Sequence, residues 1–159
     1  MVFKIPKMNR EEYDLLVKDN HISRIAFLGS KYPYIAPFLY VFNENNLYFL
    51  STKYGRKIDL LKNNPYVSVE IEKFSEDMSC YKFITLQGKI VPEYHLEKKK
   101  EIRQSFVDLI ISKNLSTVVL EALGQNPDEP VENLITADNT YVWKLTDVED
   151  IVALKNSNE

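Results

Sequence analysis

At 159 residues, with 45% hydrophobic and 27% charged side chains, the chain has the size and composition of one folded domain, which excludes a disordered or fibrous protein. A formal charge of -3 excludes the global basic excess of a dedicated nucleic-acid or membrane-surface binder, and the single cysteine, Cys80, excludes an internal disulfide. No window reaches 18 apolar residues, and His21 and His95 stand apart without zinc-ligand spacing, so the expectation is one cytoplasmic domain over 1–159 with no metal site.

Asn9 followed by Glu12 has the form of a capping pair, and Tyr13, Leu16 and Val17 recur at helical spacing, which predicts a short amphipathic helix ending near Asn20. Residues 22–28 read as a strand, Gly29-Ser30-Lys31 as a turn, and 34–42 as a long strand in which Pro37 marks an edge or a bulge. The polar run 43–46 turns the chain into a returning strand at 47–50. Ser51 and Thr52 then close that strand and open a short helix that stops at Asn63-Asn64-Pro65. Strands follow at 67–71 and 81–91, the second with Gly88 as its bulge. Helical pattern returns at 96–113, with Ile102, Phe106, Leu109 and Ile110 on one face and Lys98, Lys99 and Lys100 on a solvated one, and a second helix is expected at 115–123. Two last strands are expected at 141–145 and 151–154. Strands without crossover helices mean an α+β fold around an antiparallel sheet, and closure of six strands into a small barrel removes its edges.

The stretch 50–65 carries the chemistry. Lys53, Arg56, Lys57 and Lys62 against Asp59 give a local +3 in a chain of net -3. The hydroxyls of Ser51 and Thr52 stand where a strand gives way to a helix, a place where amides and the helix dipole favour an anion such as phosphate. Spacing alone leaves two readings open: an anion cradle, or a Ser51 helix cap with the cations on a solvated face.

From Ile22 the order ISRIAFLGSKYPYIAPFLYVFNENNLYFLSTKYGRKIDLLKNNPYVSVEIE resembles the pyridoxamine 5'-phosphate oxidase-related flavoproteins, an FMN-binding split β-barrel group, and within it the nitroimidazole-resistance-like branch. The resemblance rests on the Pro37-bearing strand, the strand-end Ser51-Thr52, the Arg56-Lys57 pair and the helix end at Asn63-Asn64-Pro65. It implies a homodimer with FMN at the subunit interface and a small-molecule substrate on the open ring face. Leu50, Ser51, Thr52, Arg56 and Lys57 would hold the phosphate end, and Pro37, Phe38, Leu39 and Tyr40 would line the ring through their main chain. Trp143 resembles a late-strand tryptophan that contacts flavin from the partner subunit, and it reads equally as a core residue. No side chain is assigned as a catalytic acid or base. Ile35, Tyr40 and Phe83 replace the Arg, Lys and Gln of the oxidase itself, which argues against pyridoxamine phosphate oxidation as the reaction. The same resemblance keeps a non-catalytic binder of FMN, haem or a deazaflavin as the alternative. Arg24 is expected either near the phosphate or in an ion pair on the barrel rim, and His21 as a helix-end imidazolium.

Overall fold

The computed structural model describes residues 1–156. Helix α1 (Arg10–Asp19) starts as expected: Asn9 Oδ1 accepts from the Glu12 amide at 2.9 Å, and Glu12 Oε1 accepts from the Asn9 amide at 3.2 Å. Strands β1 (Ile22–Phe27), β2 (Tyr34–Asn43) and β3 (Asn46–Thr52) form an antiparallel meander. Helix α2 (Arg56–Asn63) leads into β4 (Tyr66–Phe74) and β5 (Tyr81–Pro92), which are followed by α3 (Leu96–Ser112), the short α4 (Val119–Ala122), a 3-10 turn (Val131–Thr136) and β6 (Thr140–Lys155). The strands close in the order β1-β2-β3-β6-β5-β4, every pair antiparallel.

Several expectations are corrected. The last two strands are one: β6 runs unbroken for 16 residues, pairing first with β3 and then with β5. A positive φ of 50° at Asp147 and the register shift opposite Gly88 bend it, so the polar stretch 146–150 that reads as a break in sequence is a kink in one ladder. The expected helix at 115–123 shrinks to the single turn of α4, and residues 131–136 gain 3-10 structure. Lys98 does not sit on a free solvated face: it bonds to Asn43 at 2.8 Å and pairs with Glu44 and Glu101.

The barrel interior is filled by alternate residues, among them Ile25, Phe27, Phe49, Val69, Ile71, Ile84 and Trp143. α1 closes one end by burying Leu16 and Val17, each contributing about 1.5–3 kcal/mol. α2 covers the other end and buries only Ile58. A second core lies outside the barrel wall, where Ile102, Phe106, Val107 and Ile110 of α3 pack on Val41, Tyr48, Leu50 and Val142. The β2–β3 ladder runs only from Tyr40–Phe49 to Asn43–Asn46. On the other side of that limit β2 continues through Pro37 paired with β1 alone, while Ser51 and Thr52 pair with β6. The two strands part there, and the split leaves room for a proline, whose ring nitrogen has no ladder hydrogen to give.

Candidate functional site

The split and the start of α2 lie together. Alternation along β3 sends its last residues to different sides. Leu50 is buried in the outer helical core, and Ser51 is 1% exposed with its hydroxyl donating to the Thr52 carbonyl at 2.8 Å. Lys57 Nζ donates to Thr52 Oγ1 at 3.0 Å and to the Tyr54 carbonyl at 3.4 Å. It is therefore Thr52 that meets the lysine, with Ser51 one residue behind it. The helix cap is Gly55 at φ 107°, with no side-chain hydrogen bond to the first turn, so the reading of Ser51 as a helix cap is corrected. Gly55 is required by that left-handed backbone; the Ile58 amide donates to its carbonyl at 3.2 Å, and its lack of a capping side chain leaves the Arg56 and Lys57 amides without a cap where an anion could meet them.

The other cations diverge from this point. Arg56 lies 5.5 Å from the ring centre of Tyr34 at the start of β2, and Lys53 lies 5.4 Å from that of Tyr141 on β6. Burial pulls Lys57 below the usual lysine range, and an anion beside it would favour the charged form again.

Residues 37–40 of β2 offer main chain more than side chain. Phe38 turns inward onto Phe27, Phe49 and Trp143 at 5.9–6.2 Å between ring centres. Tyr40 is buried with its hydroxyl donating to the Val17 carbonyl at 2.6 Å, and burial pushes its pKa up, so it serves as a strut to α1. Pro37 is exposed opposite Arg24, and Leu39 leans on the helical core. Trp143 is 2% exposed and packed on Phe27 and Phe38, which places it in the core of its own barrel. Its ring also lines an apolar hollow of about 240 Å³ under α2, with Ile58, Leu61, Ile90 and Tyr141.

Arg24 pairs with Glu70 and Glu72 on the outer wall. Of its two expected places, the ion pair is the one the structure shows. His21 is not a helix-end imidazolium: Asn20 Nδ2 donates to the Leu16 carbonyl at 2.8 Å, and burial beside Lys113 pulls His21 below the usual histidine range. Among the described residues no group of His, Cys, Asp and Glu has the makings of a metal site, and no helix is long and apolar enough to cross a membrane. Sequence reasoning missed Arg103, which is 5% exposed on α3. Its signal was there: a cation three and four residues before Phe106 and Val107, inside an apolar stripe.

Residues 9–139 match the protein family described as Pyridoxamine 5'-phosphate oxidase. An uncharacterized protein of Rhizobium meliloti (strain 1021) is 34% identical over 82 residues, covering 52% of this chain, and the similarity spans about half, 53%, of that relative's length. Among solved structures, an FAD-binding protein from Mesorhizobium loti superposes with a TM-score of 0.71 at 19% identity, over 98% of this chain and 100% of its own. HutZ, the haem storage protein of Vibrio cholerae, superposes with a TM-score of 0.64 at 12% identity, over 92% of this chain and 94% of its own. At these identities the two structures speak to the fold.

Proposed function

The chain belongs to the pyridoxamine 5'-phosphate oxidase family, and from that premise we propose that it is an FMN-binding flavoprotein that oxidises or reduces a small molecule. The observation that carries the reading is the uncapped start of α2 beside the Thr52–Lys57 pair, with Arg56 on the same turn and Ser51 behind it. A phosphate there would receive backbone amides at a helix N-terminus and charge-assisted bonds worth about 1.5–3 kcal/mol each. The ring would lie along residues 37–40, the first three of which have no strand partner on the β3 side, so that main-chain groups read its edge. Leu50 and Trp143 would act from behind this surface, as core that fixes β3 and β6.

FMN, when bound, supplies the redox chemistry, and the chain supplies binding, orientation and exclusion of water. The proposal includes a homodimer. Ile22 on β1, Ile35 on β2 and Val152 on β6 stand 54%, 60% and 43% exposed on strands of the barrel. Exposed apolar side chains of this kind suit contact with a second copy and a cofactor held between the two.

The visible spectrum of the purified full chain is the direct test. Bands in the blue and near ultraviolet that persist through gel filtration are expected. A colourless protein that takes up no added FMN overturns the proposal, and a Soret band moves it to haem.

A further inference from the structure

A second cavity, of about 440 Å³, lies between α3, the 3-10 turn and the start of β6. Its walls carry four cations, Lys53, Lys99, Lys100 and Arg103, against two carboxylates, Glu93 and Asp138. The difference, four minus two, is a local charge of +2 in a chain of net -3.

The buried end of this pocket is unfinished. Arg103 is 5% exposed, yet only Nη2 has a hydrogen bond among the described residues, to the Thr140 carbonyl at 3.1 Å, and Nε is sealed from solvent without a partner. Thr140 itself is 3% exposed, and its Oγ1 is likewise buried and unpartnered. Buried polar atoms are nearly always satisfied, and an arginine left short of acceptors beside a polar cavity points to an acceptor that comes from outside the chain. Arg103 lines the pocket, and its guanidinium, with one donor spent on Thr140, is the kind of group that suits an oxyanion. Tyr94, Tyr141 and Pro92 also line the apolar hollow under α2, so the cationic pocket and that hollow share a wall.

We propose that the Arg103–Thr140 pocket binds the anionic end of a small organic phosphate monoester. The local charge of +2 matches a phosphate monoester, which carries about -1.5 to -2 at neutral pH, better than a carboxylate. The body of the molecule would rest against Tyr141 and Tyr94. This site is separate from the cradle of Thr52, Arg56 and Lys57, and it does not depend on the flavin reading.

The test is calorimetric titration of the purified full chain with phenyl phosphate, with benzoate as the monoanion, each with and without saturating FMN. Phenyl phosphate is expected to bind more tightly than benzoate and with an affinity that FMN leaves unchanged. Lys99→Gln with Lys100→Gln, on the surface of α3, should weaken it about tenfold or more with an unchanged circular dichroism spectrum. Arg103→Lys keeps the charge and removes the fork, and it should weaken phenyl phosphate by a similar factor. No saturable heat from the folded wild-type chain overturns the proposal. So does binding that FMN abolishes or that Arg56→Ala with Lys57→Ala removes, since it would then belong to the flavin cradle. Benzoate binding as tightly as phenyl phosphate overturns the assignment of a dianion.

Discussion

The two ends of the barrel are closed by helices of similar length and opposite quality. α1 has a complete capping box, buries Leu16 and Val17, and is tied to β2 by the hydroxyl of Tyr40 on the Val17 carbonyl. α2 starts on an uncapped glycine, buries only Ile58, and leaves a hollow of about 240 Å³ beneath it. The first end spends its polar groups on the fold. The second has uncapped amides at Arg56 and Lys57, a lysine made less basic by burial, and an arginine set over the ring of Tyr34. If the proposed cradle holds, a fold with few residues separates stability from binding by assigning them to opposite mouths of one barrel.

Substitution tests that division most sharply at the α2 end. Arg56→Ala with Lys57→Ala should weaken FMN binding by more than about 100-fold, the loss of two charge-assisted bonds, without altering the circular dichroism spectrum or lowering the melting temperature of the flavin-free protein. A comparable loss of stability would mean that α2 is structural after all. At the α1 end, Leu16→Ala should cost about 2–4 kcal/mol in chemical denaturation, since Leu16 is 4% exposed, and leave FMN affinity per folded molecule intact. Tyr40→Phe should cost about 1–2 kcal/mol, because it leaves the Val17 carbonyl without its donor in a buried place. If Tyr40→Phe instead altered the flavin spectrum with no stability loss, residue 40 would belong to the ring site through its side chain.

The smallest effect carries an informative sign. Burial lowers Lys57 from its usual 10.5, so below its folded-state pKa the flavin-free fold is less stable than it would be with a neutral side chain. Over the interval up to 10.5 the unfolded chain holds the proton that the folded chain has released, so wild-type stability rises with pH there. Lys57→Met without flavin should therefore raise the melting temperature slightly at neutral pH, by about a degree or two, an advantage that shrinks as pH approaches 10.5. A clear destabilisation would show that the Lys57–Thr52 bond serves the fold.

Legibility in the sequence follows the same division. α1 was readable to its first residue because Asn9, Glu12, Leu16 and Val17 are local signals within one helix. The strands from β1 to β5 and the Gly88 bulge were readable because alternation and turn residues are local as well. What escaped depends on partners distant in sequence. Ser51 and Thr52 face different ways by alternation, but which of them is sealed depends on their pairing with Tyr141 and Thr140 of β6, some 90 residues on. Pro37 reads as an edge residue because it is one locally: the barrel is closed, yet β2 has parted from β3 at that point. Lys98 reads as solvated until Asn43 and Glu44 of the β2–β3 turn come round to meet it. Residues 146–150 read as a break because Thr146, Asp147, Glu149 and Asp150 are polar, whereas the ladder to β5 resumes on both sides of the shift, at Lys89–Thr146 and Gln87–Asp150.

The position of β6 sets the order in which the molecule can be finished. It lies between β3 and β5, and its far end is also where the start of the chain attaches, through Met8 to the Ala153 carbonyl at 2.9 Å and Lys155 to the Pro6 carbonyl at 3.0 Å. During synthesis, β1 to β5 can form a curled sheet, but β3 and β5 remain two bare edges until residues 140–155 have emerged. A chain interrupted before residue 140 is thus an open sheet that invites pairing with its neighbours. Thr140, Tyr141 and Trp143 arrive with that last strand, so the hollow under α2 and the pocket beside Arg103 both come into being at the step that removes the edges. A ligand that needs those walls would recognise only chains that have closed, and would hold them closed.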